Sequence, residues 1–352
     1  MNGTNGTNGT NGTNGTNGTN GTNGTNGTNG TNGTNGTNGT DAYGDGTAGA
    51  LDVATDLDWT STPPTNDNSQ FTNVTIAAGH TLTVFSGTVI RATGAFTNNG
   101  TIVVSGGTNG GYGCVSINGL VYAVDAGANA FGQIAGIGSV TATNVAALGG
   151  VGYGVNSAYA REIVNVGPDA GGGGGGNGGS GGGGFTILAK GALVNSATGV
   201  IMASGEDASA TTGCGSLGAS FGGGGGGGGG GIVILASKTS IAQAGTIDVA
   251  GGAGGPSSAS FAPGGGGSGG IVHLFAPQIT HTGSEVVGGG AQGTVTTVVS
   301  TNPRGAGASG GATGGVPGSG SGLDTNNAVV AGTTGTTGQS ASSLLDPSAL
   351  FY

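Results

Sequence analysis

Charge is what this chain has least of. Lys, Arg, Asp and Glu make up 6% of its 352 residues, against roughly 25% in ordinary soluble proteins. The five basic residues, Arg91, Arg161, Lys190, Lys238 and Arg304, are scattered, and the net charge is −10. A nucleic-acid surface needs clustered cations to neutralise phosphates, so composition argues against nucleic acid, and against an anionic membrane surface for the same reason. No run of about 18 apolar residues is present, so no membrane-spanning helix is expected. No basic segment followed by an apolar one and a cleavage site stands near Met1, so no Sec-type signal is visible. If the protein works outside a cell, the expected exits are lysis, a virus particle, or removal of a segment. Two cysteines, Cys114 and Cys214, are too few for a disulfide scaffold. One long-loop disulfide and two buried free thiols both remain open. There is no CxxC pair and no metal-like spacing.

What is plentiful is glycine, 91 residues, against a usual level of roughly 7%. Each glycine inside a helix costs roughly 1 kcal/mol relative to alanine, so long helices are not expected. Ordinary disorder also fits poorly, because Val, Ile and Thr occur in short alternating runs, unlike the composition of disordered chains. The class that remains is an all-β one in which glycine is a building material.

Residues 2–40 are Asn-Gly-Thr repeated thirteen times without error. Glycine at every third position matches helices of three residues per turn, which place that position on one face. The run reads as a collagen-like shaft, roughly 120 Å long at about 3.1 Å per residue, and hence as a homotrimer. It has no proline to preset φ, and a polyglycine II bundle, a glycan-carrying rod and a flexible linker are the competing readings. Each triplet is also an N-glycosylation sequon. That makes Asn2, Asn5, Asn8, Asn11, Asn14, Asn17, Asn20, Asn23, Asn26, Asn29, Asn32, Asn35 and Asn38 candidate sites, with Asn73 and Asn99 further along.

Residues 41–70 read as a junction. Asp41, Asp45, Asp52, Asp56 and Asp58 are dense enough to consider Ca²⁺, but the loop spacing of a calcium site is missing, so solvated turns are the expectation. Residues 71–170 read as a β-rich domain, with Phe71-Thr-Asn-Val-Thr-Ile76, Thr81-Leu-Thr-Val-Phe85 and Thr101-Ile-Val-Val104 as short strands between Gly, Asn and Ser turns. A rung length near ten residues points to a β-solenoid or a stacked sandwich.

Residues 171–300 repeat a unit of glycine run, strand, turn, strand and glycine loop. Phe96-Thr-Asn-Asn-Gly-Thr-Ile-Val-Val104 returns as Ile241-Ala-Gln-Ala-Gly-Thr-Ile-Asp-Val249. Degenerate copies begin at Leu193 and Ile279. The strands starting at Phe185, Ile232 and Ile271 each follow a glycine run. Ordering a free run costs roughly 1–2 kcal/mol per residue, so repetition in register implies that the runs pack on one another as polyglycine II helices. Flexible loops are the competing reading. Residues 301–352 read as a Gly/Ser/Thr-rich tail with an apolar docking segment, Leu344 to Tyr352.

Glycine runs alternating with short strands resemble the glycine-rich tips of bacteriophage tail-fibre adhesins. Tyr43-Gly-Asp-Gly-Thr-Ala-Gly-Ala-Leu51, the Phe71 and Phe96 stretches and the Asn-Gly-Thr run are similar to β-structured and collagen-like parts of viral fibres. The resemblance implies packed polyglycine II helices whose tip loops touch a host glycan or protein, with other virion proteins as partners. It leaves the mounting point open between tail, capsid surface and neither. Loops around Gly107 to Tyr112, Glu206 to Phe221 and Gly254 to Pro263 are the expected contacts, which singles out Tyr112, Glu206, Asp207, Phe221 and Phe261.

No catalytic residue, metal or cofactor is expected. His80, His273 and His281 lack ligand spacing, and no Gly-x-Ser-x-Gly elbow has the required context. A fibre-borne polysaccharide depolymerase would need two carboxylates roughly 5 to 9 Å apart. Glu206, Asp207, Asp248 and Glu285 are the candidates, though solvated turn positions are the expectation for all four; Tyr112, Tyr122, Tyr153, Tyr159, Phe221 and Phe261 are the candidate sugar-stacking aromatics, with burial in the core as the competing reading. A glycan-coated extracellular fibril and an ice-binding protein with threonine rows complete the alternatives to a virion fibre.

Overall fold

The computed structural model describes residues 42–106, 112–117, 120–124, 163–164, 178–208, 224–256, 263–294, 310–319, 322–323, 329–330 and 332–350. The Asn-Gly-Thr run lies outside them. The chain divides into two units, Met1–Asp45 with Ser348–Tyr352, and Gly46–Pro347. In the first, the Tyr43 hydroxyl bonds the Ser348 hydroxyl at 3.1 Å.

The second unit holds three parallel sheets of six strands, stacked as the sides of a β-solenoid. One sheet runs through Leu51–Val53, Val74–Ile76, Phe96–Asn98, Leu193–Asn195, Ile241–Gln243 and Ile279–His281. The next runs through Leu57–Asp58, Thr81–Val84, Thr101–Val104, Val200–Met202, Thr246–Asp248 and Ser284–Val286. The third runs through Gln70–Phe71, Thr88–Ala92, Gly184–Ala189, Ile232–Ser237, Ile271–Phe275 and Gln339–Ser343. Each rung visits the three sheets in this order. The first rung therefore spans residues 51–71, and the solenoid runs across the boundaries expected at 70, 170 and 300. Its rungs are joined by backbone pairing whatever the length of the connections between strands.

Strand alternation sends every second side chain inward. Register stacks like on like: Ile90, Ile187, Leu235 and Leu274 form one buried column, and Leu82, Ile102, Ile201 and Ile247 another. Trp59 stacks on Phe71 in the first rung, with centroids 6.1 Å apart. One column is polar. Asn98 Nδ2 donates to Asn195 Oδ1 at 2.8 Å, Asn195 Nδ2 donates to Gln243 Oε1 at 2.9 Å, and Gln243 Nε2 ends on the Gly245 carbonyl. All three side chains are fully buried, which is tolerable because each amide finds a partner, the asparagines one rung on and Gln243 within its own rung.

From the third rung onward the connection between the second and third sheets lengthens, to residues 105–183, 203–231, 249–270 and 287–338. Every glycine run lies in these excursions, which all leave the same corner of the solenoid. Segments 203–208, 249–256 and 287–294 go out, and 178–183, 224–231, 263–270 and 332–338 come back. None is a strand or a helix. They are joined instead by backbone hydrogen bonds recurring every third residue. The amides of Gly264, Gly267 and Gly270 donate to the carbonyls of Gly255, Gly252 and Val249 at 3.0, 2.8 and 2.8 Å. Gly227 and Gly230 donate to Gly265 and Ser268, and Gly251 and Gly254 to Gly288 and Ala291. Residue numbers rise together within a layer and oppose each other between layers, so returning segments are mutually parallel and antiparallel to outgoing ones. Residues 310–319 add a further layer through Gly311, Gly314 and Gly318.

Side chains would prevent this packing. A Cβ on Gly264, Gly267 or Gly270 would sit 1.9, 1.9 or 2.0 Å from the carbonyl oxygens of Gly225, Gly228 and Gly231. The next residue along each run faces another neighbour: Gly266 and Gly269 meet the Gly290 and Val287 oxygens, at 1.9 and 1.8 Å, and Gly265 meets Gly318. Three faces at a period of three, all in contact, require an unbroken glycine run. The described glycines with φ in the left-handed region are Gly44, Gly46, Gly49, Gly79 and Gly87, none in the slab, so what these runs supply is closeness of approach. Ser268 interrupts the run because it has work there. Its buried hydroxyl accepts the Thr313 amide at 2.8 Å and donates to the Gly269 carbonyl. At the slab edge the chain reads Gly332-Thr-Thr-Gly335-Thr-Thr-Gly338. Gly335 and Gly338 face inward, against Gly267 and Gly270, and all four threonines are exposed.

Gly267→Ala is expected to lower unfolding stability by about 3 kcal/mol, the upper end of overpacking costs. Gly288→Ala, where nothing lies within 4 Å of the added carbon, is expected to stay within about 0.5 kcal/mol of the parent. Urea unfolding of the two variants checks both values. Asn195→Ala strips Gln243 Oε1 of its partner and leaves Asn98 Nδ2 only its longer bond to the Val200 carbonyl, and one buried orphan at about 1–3 kcal/mol predicts a loss of that size in the same assay.

Candidate functional site

Two regions collect the polar groups that the sequence singled out. The first is the outer end of the glycine slab. Ala208 donates to Ala253, and Gly264 to Gly255, while Gly224 lies against Gly255 and Gly293 donates to Gly264. These residues flank 209–223, 257–262 and 295–309, so the three connections leave the slab at one end. Phe221 and Phe261 belong to them and lie outside the described residues, as do Tyr153, Tyr159 and Cys214.

Glu206 and Asp207 are exposed on the outgoing segment that approaches this end. They are also tied into it. The Glu206 amide donates to Ser180, its carbonyl accepts the Gly228 amide, and Asp207 Oδ1 accepts the Ala253 amide at 2.6 Å. The Asp207 side chain thus bridges two outgoing segments. Tyr112, Cys114 and Tyr122 lie in a three-stranded antiparallel sheet of Tyr112–Ile117, Leu120–Val124 and Ile163–Val164, within the first excursion.

The second region is the last rung. At interior positions held by Gln243, Ile247 and Val272 in the rung before, it carries His281, Glu285 and Ser340. Register sets His281 beside Gln243 and Glu285 beside Ile247. The Glu285 side chain is only 5% exposed although its backbone lies on a sheet edge. Oε2 accepts the Ser340 hydroxyl. Oε1 lies 3.6 Å from His281 Nε2 and has no hydrogen-bond partner. The set is not a nucleophilic triad, because Ser340 bonds the carboxylate and leaves the imidazole, which would have to take its proton, untouched.

Nor do the depolymerase carboxylates converge here. Asp248 stands on the outward side of its strand and caps the Ala250 amide at 2.9 Å, while Glu285 on the next strand points inward. Of the junction aspartates, Asp56 accepts the Thr81 amide and lies 3.5 Å from His80 Nδ1. Asp58 accepts the hydroxyl and amide of Thr60, which hold its pKa below the ordinary carboxylate value. Among the described residues no three His, Cys, Asp or Glu side chains form a metal-sized group. Asn73 is exposed, but its Oδ1 accepts the Ala95 amide at 2.8 Å. Asn99 is half-buried, its carbonyl taken by Thr198.

No family model, no curated protein and no solved structure matches the chain.

His273 stands apart, on the outer side of the third sheet. It stacks on Phe275 at 3.8 Å and meets the Ser343 hydroxyl at 2.9 Å. Burial lowers its pKa. On acidification the unfolded chain therefore takes up this proton first. The stability that neutral His273 contributes is full above about pH 6.5, the ordinary imidazole value, and is lost as pH falls from there towards the folded pKa. The urea midpoint should fall between pH 7.5 and pH 5.5, and His273→Gln should reduce that fall.

Proposed function

We propose that the chain is a non-enzymatic structural fibre of a virus particle, one that contacts a host-surface glycan or protein through the loops at the outer end of its glycine slab. The observation that carries this reading is the common corner. Every long excursion leaves the solenoid between the same two sheets, and neighbouring excursions are knitted by backbone hydrogen bonds. The described parts of the excursions thereby form a hydrogen-bonded platform beside the solenoid core, which supports a reading in which binding residues sit on loops held by a scaffold.

The three-residue recurrence of hydrogen bonds, and bonds that join different segments, support reading the slab as packed polyglycine II helices. The edge segment supports the shaft reading of residues 2–40. In 332–338 glycine at every third position supplies one packing face, while Thr333 and Thr336 bond Ser319 and Val316 of the neighbouring segment and Thr334 and Thr337 are exposed. The Asn-Gly-Thr repeat has the same spacing, with one glycine face and two polar ones. A helix with a single packable face satisfies it best in a small closed bundle of identical chains, and three chains is the collagen-like number.

Adhesion of the full chain to host cells tests the proposal. Phe221→Ala combined with Phe261→Ala is expected to reduce adhesion at least tenfold with the unfolding midpoint unchanged. Sedimentation of the parent chain should give a trimer. Undiminished adhesion by the double variant, or a monomer in sedimentation, would contradict the reading.

A further inference from the structure

We propose a divalent-cation site at the open end of the solenoid, formed by His281 and Glu285 and selective for zinc-like ions. Glu285 is the unusual residue. A carboxylate stands in an interior column that Leu82, Ile102, Ile201 and Ile247 fill below it. Its Oε2 is satisfied by Ser340, yet Oε1 is buried and unbonded. Burying a charged oxygen without a partner is costly. His281 Nε2 lies 3.6 Å from Oε1, beyond hydrogen-bonding range.

That separation suits two ligands of one metal ion. Zinc binds imidazole nitrogen and carboxylate oxygen at about 2.0–2.2 Å in tetrahedral geometry, which puts neighbouring ligands about 3.4 Å apart. The donors also match, since imidazole with carboxylate favours zinc and its neighbours over calcium or magnesium. Each ligand stands on a strand held in register by the preceding rung, and the turn between them is pinned by the Thr282 and Gly283 amides, which both donate to the Gln243 carbonyl. The Ser340 bond orients the carboxylate from behind, as outer hydrogen bonds do around metal ligands. His281 is 36% exposed, which leaves the remaining coordination positions to water or to an incoming side chain.

The other His–carboxylate pair shows the difference. His80 and Asp56 lie at 3.5 Å, but Asp56 is 74% exposed and the same Oδ1 already accepts the Thr81 amide. Nothing there is left unsatisfied for an ion to complete.

The test is titration of the full chain, freed of metal with a chelator, with Zn²⁺ alone, followed by calorimetry and by the thermal midpoint. One Zn²⁺ per chain and a raised midpoint are expected. His281→Asn and Glu285→Gln should each weaken binding at least tenfold, and Ser340→Ala should weaken it less. His80→Asn should bind as the parent does. The thermal midpoint of each variant without metal shows whether it has folded. No saturable binding by the parent chain, retention of parent affinity in both folded site variants, or loss of binding in His80→Asn would overturn the proposal.

Discussion

A glycine carries a hydrogen where every other residue carries a carbon, and most of this molecule depends on that difference. In the slab, one segment's α-hydrogen points at its neighbour's carbonyl oxygen from a distance no Cβ would tolerate. Weak Cα–H···O contacts of this kind support the direct N–H···O bonds that join the segments. A slab built this way satisfies backbone donors and acceptors, the obligation of any buried chain, without sheet geometry and with almost no side chains. Its cost is conformational entropy, greatest for glycine. That cost is tolerable because the segments are not free. Each begins and ends on a solenoid strand already fixed in register by its neighbours.

The solenoid and the slab therefore need each other. Rungs at fixed spacing present each excursion in line with the one before, and the three-residue repeat lets that alignment persist away from the core. Gly228 sits against Ser180, and Gly267 against Gly228, so a single contact is handed from excursion to excursion. Exposed side chains return at the slab edge, as with the four threonines of 332–338 and with Ala291, Gln292 and Thr294 on the outgoing side. The last rung obeys the same logic. Among the described residues no rung follows it, and the interior columns end in His281, Glu285 and Ser340.

Much of this was legible from spacing. The match between Phe96–Val104 and Ile241–Val249 is a true structural equivalence, because Asn98 and Gln243 occupy one buried column. The strands beginning at Phe185, Ile232 and Ile271 pair in register, as their common position after glycine runs implied. Three things were not legible. The first rung contains strands as short as two residues, Leu57–Asp58 and Gln70–Phe71, too brief to show a period, so residues 41–70 read as a junction with one or two short strands and not as a rung. Residues 332–338 were read as a patternless tail, although Gly-Thr-Thr repeats the same three-residue rule with one face glycine instead of three. Glu285 read as a solvated turn position, because a degenerate copy of the repeat gives no sign of which side of the strand faces in. Its equivalence to Ile247 comes from pairing over a long separation, which composition does not carry.

Site-resolved amide hydrogen exchange tests the central claim most directly. The account predicts that Gly227, Gly230, Gly264, Gly267 and Gly270, whose amides are bonded across the slab, exchange as slowly as the buried strand residues Leu235 and Leu274. Exchange of these glycines at the rate of an open loop, with the strands still protected, would contradict it.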